Sequence, residues 1–401
     1  MNFARRGAVA AAIVALGVLV WRLSEPSSPV PVVTADAGSE ARQREELLAL
    51  GYAEGATEAT PGEGDGVTRF DRERAVPGTN VWCSVRSSEV HFMDLEGRVL
   101  RSLSLPDPGV GHDCMARPTP DGGFLTLASP HLVKWNRDLE IEWTSSDAHH
   151  HDAFVAPDGT VTTFSEQPGR IDYRGHRLEI RDHAIAILGP DGRLRRKVPL
   201  SLLLRDLIRE SRLRNLLALT LQGGETAKRR RSVVGDVFHP NGIVVLDRDL
   251  GPARAGNVLV CLRELDRLAI VDLDARRVVW SWGEGELDGP HHPTLLPDGG
   301  ILVFDNGRRR GWSRLLEVDP QGSRIRWQWR ATPPAAFHSR VRGSVEPLAN
   351  GHLLVTESTR GRVFELTRDG SIVWEFHNPE HTEDGSTRRQ IYRMIRIPPG
   401  A

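Results

Sequence analysis

From about residue 80 to the end, apolar and polar side chains alternate in short runs separated by Asp-Gly or Asn-Gly turns and their equivalents. A period of two residues turns one face of each run toward a core, and the glycine-bearing turns reverse the chain, so each unit reads as a β-hairpin. Six copies stand out: Glu89–Leu105, His131–Ser145, Ala184–Leu200, Arg267–Trp282, Arg314–Trp329 and Arg362–Phe376. A turn followed by a further strand precedes most of them, in PDGGFLTL, PDGTVTTF, AGNVLVCL, PDGGILVF and ANGHLLVT. Four strands per repeat, at about 40–50 residues each, predict an all-β fold, a six-bladed β-propeller. The first copy lacks an inner strand, and QIYRMIRIP at the C-terminus has no blade of its own. That run is expected to close the ring, which removes the exposed edges that invite aggregation. Trp143, Trp280, Trp282, Trp327, Trp329 and Trp374, at strand ends, are expected to pack between blades.

The alternation fails between Leu200 and Ser232, where SLLLRDLIRESRLRNLLALTL spaces its leucines as a helix does. A helical insertion over about 200–232 is predicted, with Lys228–Arg231 as a basic run behind it. It reads either as a solvated helix on the propeller rim, or as a lid or membrane-facing element. At the other end, Arg5 and Arg6 precede an apolar run from Gly7 to Trp21. That is the pattern of a secretory signal or a signal anchor, and an uncleaved anchor is favoured because no cleavage site follows directly. The expected organisation is therefore a signal or anchor over 1–24, a flexible linker over 25–68 and the propeller over 69–401. Export to the periplasm or another extracytoplasmic compartment follows, with the N-terminal segment holding the chain to the membrane.

Composition narrows the function. The chain has 401 residues, 39% of them apolar, with Lys+Arg of 52 against Asp+Glu of 53, so no bulk charge favours nucleic acid. Of three cysteines, Cys83, Cys114 and Cys261, none has metal-ligand spacing, and a Cys83–Cys114 bridge is open but not forced. No metal and no cofactor are expected, and self-association is left open.

The candidate chemistry lies in residues that recur at one register. His151 and His291 each stand seven residues before an Asp-Gly turn, and His239 and Asn241 fall at the equivalent point of DVFHPNG. Inner strands of a propeller all start at one end of the axis, so these side chains should converge there. Arg263 ends the next strand outward in the blade of His239 and should reach back to the same point. Neutral imidazoles beside a guanidinium fork and an amide suit a tetrahedral oxyanion ester. Three histidines could also ligate zinc or copper, but Arg263 beside a metal ion would be unfavourable. His112 stands nine residues before Asp121 and is assigned a structural role, His149 and His150 are placed on the surface or behind His151, and His292 beside the site.

These residues resemble the arylsulfate sulfotransferase family of PAPS-independent enzymes, six-bladed propellers, over roughly residues 80–398. The resemblance rests on HHD at His150–Asp152, DVFHPNG at Asp236–Gly242, Arg263, HHPTLLPDGGILVFDNG at His291–Gly307, Ser313-Arg314, Arg342–Ser358 and the closing IYRMIRIP. It implies a ping-pong reaction in which His291 attacks an aryl sulfate donor, carries the sulfuryl group and passes it to a phenolic acceptor. By the same resemblance, His151, His239 and Arg263 are catalytic, and Asn241, His292 and Arg314 bind substrate. Family members usually have serine where Gly242 stands, and often glutamine where Pro290 stands. The competing expectation is a non-enzymatic propeller that binds a ligand or a protein, and a third is transfer or hydrolysis of another oxyanion ester.

Overall fold

A computed structural model describes residues 64–106, 114–382 and 385–400. Six four-stranded antiparallel sheets follow one another along the chain, and the sixth gains a fifth strand. The first blade takes its innermost strand, Ile391–Ile397, from the C-terminus, and this strand pairs with Thr79–Ser84. All seven of its residues are buried, as expected of the strand that closes the ring. A second closure was not expected. Gly66–Phe70, which starts inside the segment read as linker, adds the outermost strand to the last blade by pairing with Ile372–His377. The Gly7–Trp21 run and His112 lie outside the described residues; among those described, no helix is long and apolar enough to cross a membrane.

The core is divided among the seams between blades. Each of six apolar clusters joins two neighbouring blades, for example Leu259, Ile270 and Trp280 of the fourth against Val303 and Leu316 of the fifth. At about 1.5–3 kcal/mol for each large apolar side chain buried, these seams hold the ring together. The strand-end tryptophans bridge blades as expected. Trp143 donates to Pro190 O at 2.8 Å, Trp282 to Ser323 O at 3.1 Å and Trp374 to Leu95 O at 2.8 Å. Trp329 packs on Phe337 and Phe364. Cys83 and Cys114 form a disulfide between the first two blades, and Cys261 is a buried thiol.

The third blade departs from the repeat. Its middle strands, Val161–Tyr173 and His176–Leu188, are 13 residues each and stay paired to Tyr173↔His176, well beyond the strands on either side. Three helices pack on this hairpin arm: α1 (Leu200–Leu203), α2 (Glu210–Gln222) and α3 (Gly224–Val234). Leu200, Leu203, Leu213 and Leu216 bury against Ile171, Leu178 and Ile180 of the arm. The leucine spacing thus buries one face of the insertion, and α3 leads directly into Asp236–His239.

Candidate active site

Backbone kinks recur at one end of the blades. His151, His239, His292 and Arg342 have φ of 64°, 46°, 48° and 59°, at the same end of four successive blades. A side chain in this left-handed region costs roughly 1–2 kcal/mol, and such residues persist where the surroundings force them, often at functional sites. Ladder register shifts accompany the kinks in the third, fourth and fifth blades. The bulges are not equivalent. In the third blade Phe164 pairs with His150 and Thr163 with Ala153, whereas in the fifth Phe304 pairs with His291 and Leu302 with Thr294. The third-blade bulge therefore holds one extra residue. By the ladder it is His150 that matches His291, and His151 stands one residue farther along the bulge.

His291 is buried and oriented from its Nδ1 side. Nδ1 lies 2.8 Å from Asn306 Oδ1 and 3.0 Å from Gly289 O, both acceptors, so the ring proton sits on Nδ1. Nε2 then carries the lone pair and accepts the Arg342 backbone N–H at 3.2 Å. Burial first, then the Arg263 charge, hold His291 down at about 3. The imidazole is therefore neutral near pH 7.

Asp236 organises the other histidines. One carboxylate oxygen accepts from His239 Nδ1, and the other from His183 Nε2 at 3.0 Å. Burial opposes its ionisation, but the hydrogen bond from His183, that histidine and Arg263 outweigh it and hold the carboxyl below its usual range. An ionised carboxylate only accepts, so both imidazoles must donate to it. His183 Nδ1 then accepts from His150 Nε2, 2.9 Å away. The result is a buried chain, His150–His183–Asp236–His239, polarised toward the carboxylate. In neutral His239 the proton is then on Nδ1 and the lone pair on Nε2. His239 is kept well below its ordinary value by burial and by Arg263. The His151 ring lies 4.7 Å from that of His239 and 4.8 Å from that of His150, between centroids.

Arg263 is buried, with Nε 2.9 Å from Glu264 Oε1. It depresses both His239 and His291, so its charge reaches both rings. Asn241 Nδ2 donates to Pro290 O at 2.8 Å, which ties the fourth blade to the residue before His291 and leaves the second amide hydrogen for a ligand. Gly242 has a packing reason: a Cβ there would stand 2.2 Å from Pro293 Cδ. The serine usual in the family would collide with this proline. Two expected residues are engaged elsewhere. His292 Nδ1 lies 3.1 Å from Val345 O and its Nε2 3.3 Å from Glu346. Arg314 is held by Asp305 at 2.7 Å and Glu286 at 2.9 Å, outside the histidine cluster. His149 and His150 are buried rather than on the surface.

An ionic belt lines the axis next to the site. Asp152 accepts from Arg393 at 2.8 Å, Arg117 at 3.2 Å and the Ile243 N–H at 3.2 Å, joining four blades. Burial raises its carboxyl, but the two arginines win and it stays far below the carboxylate range. Tyr392 donates to His151 O at 2.7 Å and fixes the third-blade bulge from the closing strand. His183 was missed from sequence, and Asn306 and Arg342 entered only within family motifs, without a role of their own. The one signal for His183 was a polar Asp182-His183 pair in an otherwise alternating strand. Among the described residues, no three His, Cys, Asp or Glu side chains are grouped as metal ligands.

The sequence profile of arylsulfotransferases (ASST) matches residues 134–379, well over half of the chain and inclusive of His151, His239, Asn241, Arg263 and His291. The chain belongs to the arylsulfotransferase family. Membership supports an arylsulfotransferase enzyme in the broad sense. No curated protein matches the sequence. Among solved structures, a Bacteroides caccae protein of unknown function is similar at TM-score 0.53 and 14% identity, covering 80% of this chain and 99% of that one. A streptogramin B lyase has TM-score 0.46 at 10% identity over 85% and 97% of the two chains. A virginiamycin B lyase from Staphylococcus aureus has 0.44 at 12% over 78% and 88%. At these identities the likeness concerns the fold alone.

Proposed function

We propose that this arylsulfotransferase moves a sulfuryl group from an aryl sulfate to a phenol through a sulfohistidine at His291, without PAPS. The observation that carries the reading is the His291 ring. It is neutral, its proton is fixed on Nδ1, and its Nε2 lone pair accepts the Arg342 N–H, which a bound donor must displace, while Arg263 and His151 act on the ring through their charge. Nε2 attacks sulfur while the sulfur–aryl oxygen bond breaks, and the electron pair leaves with the aryl oxygen. The positive charge that develops on the ring is spread through Nδ1–H to Asn306 and Gly289. Arg263, held by Glu264 along one edge, brings its charge to the sulfuryl oxygens, with the second Asn241 hydrogen as a neutral donor.

In the return step the phenol oxygen attacks sulfur, the N–S bond breaks, and His291 leaves neutral. The leaving aryl oxygen takes up a proton, and the acceptor phenol gives one up. His239 Nε2, unprotonated at rest and backed by Asp236 on its other nitrogen, accepts the acceptor's proton in the return step, and it serves a basic leaving group only after taking up a proton from water, with His151 alongside. Incubation with p-nitrophenyl sulfate should release p-nitrophenol in a phenol-dependent manner, and His291→Ala should abolish release. A folded protein silent with several donors and acceptors would instead favour a ligand-binding propeller. We also place the protein outside the cytoplasm. The Gly7–Trp21 run and the Cys83–Cys114 disulfide support this, since disulfides persist in oxidising compartments.

A further inference from the structure

The helical insertion does more than cover the arm. Between α2 and the mouth of the fourth and fifth blades lies an open cavity of about 450 Å³, within the range of ligand sites. Arg209, Arg212 and Asn215 line it from the insertion, and Arg263, Glu264 and Arg308 from the propeller. Four guanidinium groups thus face one carboxylate. Glu264 is shared by three of them: it accepts from Arg263 at 2.9 Å, Arg212 at 2.7 Å and Arg308 at 3.1 Å. Burial opposes its ionisation, and the three arginines hold its carboxyl well below the usual range. Arg209 is balanced separately by Asp266 at 2.9 Å. One negative charge against Arg212, Arg263 and Arg308 leaves an excess of two positive charges around this cavity.

Arg263 lines this cavity and its charge also acts on His239 and His291, so the cavity adjoins the site, and the insertion is pinned to both. Besides Glu264, Arg212 donates to Asp236 O at 2.9 Å and Val234 O at 3.2 Å. A reacting sulfuryl group held by Arg263 would use one of the three guanidinium groups. The remaining excess lies farther out, where the body of an aryl substrate would extend.

We propose that this vestibule is a subsite for the far end of the aryl substrate and selects phenols that carry a second anionic group, such as a carboxylate. The proposal rests on the sulfuryl-transfer reading for its kinetic consequences, but not for binding. The probe is 3-(4-hydroxyphenyl)propionate against its methyl ester, in which the ethylene spacer isolates the phenol from the change in charge. With p-nitrophenyl sulfate as donor, kcat/KM for the acid should exceed that for the ester at low salt. The preference should shrink in about 1 M salt, where the Debye length falls to about 3 Å. Asn215→Asp, an exposed position whose change spares the core, adds a negative charge to the wall. It should lower the acid-to-ester ratio about five- to tenfold, and Arg308→Gln should lower it similarly. Without donor, the acid should raise the Tm of the wild type more than the ester does, and Asn215→Asp should cancel the difference. Equal treatment of acid and ester in both assays, or a ratio unmoved by both substitutions, overturns the subsite while leaving transfer intact. Acid-selective stabilisation with no transfer to either acceptor supports the subsite and overturns the transfer reading instead.

Discussion

Replacing Asp236 with Asn keeps the side-chain shape and removes its charge, which tests whether the buried histidine chain acts in proton transfer. The carboxylate accepts from His239 Nδ1, from His183 Nε2 at 3.0 Å and from the His239 backbone N–H at 3.1 Å. An amide has one accepting oxygen and an NH2 that donates. Whichever ring faces the NH2 must move its proton to the other nitrogen. If that ring is His239, its Nε2 gains the proton and no longer serves as a base. If it is His183, His239 keeps its tautomer but loses the anion that stabilises its imidazolium. A hydrogen bond to a charged group is worth about 1.5–3 kcal/mol, so the second case alone costs about 10- to 150-fold in proton-coupled steps. The first approaches the upper end of general acid–base effects, about 10⁴-fold.

The loss should depend on the leaving group. p-Nitrophenolate departs without a proton, so the pre-steady-state burst of p-nitrophenol should survive largely intact in Asp236→Asn. Donors built on more basic phenols should slow sharply, as should transfer to phenol in the steady state. Rapid-mixing kinetics over a series of aryl sulfates, with thermal unfolding followed alongside, measures this as a steeper dependence on leaving-group pKa. A folded Asp236→Asn protein with wild-type rates and an unchanged slope would refute proton transfer through His239.

Gly242→Ser should lose stability and activity together, because its Cβ meets Pro293 at 2.2 Å; pairing it with Pro293→Ala should restore much of the Tm, and no recovery would argue against the clash. His149 and His291 titrate at about 4 and 3 in the folded chain, against an ordinary 6.5. The unfolded chain takes up these protons first, so stability is full above about pH 6.5 and falls as pH drops toward the folded values, by about 2 kcal/mol per histidine between pH 7 and 5. Urea unfolding at the two pH values measures the loss, and His149→Gln should remove its share. Arg393→Met leaves the buried Asp152 carboxylate with Arg117 as its remaining arginine, and should cost about 3–5 kcal/mol in urea unfolding. Recovery of part of that loss by adding Asp152→Asn would assign it to the stranded charge.

The repeating hairpins were legible because a two-residue period punctuated by Asp-Gly turns has few structural meanings. The closing strand was legible for the same reason: one blade lacked a strand and one strand lacked a blade. Gly66–Phe70 was not, because a five-residue strand beside polar sequence carries no period of its own and is defined by its pairing with Ile372–His377. His151 and His239 lie ring to ring, and the Arg263 charge acts on both His239 and His291. The bulges were invisible, since counting back from the Asp-Gly turns matches His151 to His291 while the ladder matches His150. His183 escaped notice because it stands on the third strand of its blade and reaches the site only through Asp236, and Asn306, just past a second strand, acts only through His291. Arg314 followed the family pattern in sequence, yet its guanidinium satisfies Asp305 and Glu286.

If His291 carries the sulfuryl group, the intermediate can be trapped on it. The protein is mixed with excess p-nitrophenyl sulfate without acceptor, stopped under mildly alkaline conditions that preserve an N–S bond, digested and analysed by mass spectrometry. A burst of one p-nitrophenol per chain and a sulfuryl mass increment on His291 are expected, the increment being discharged when phenol is added before the stop. Phenol-dependent turnover with the increment on another residue, His292 included, or with no burst and no adduct, would contradict that role of His291.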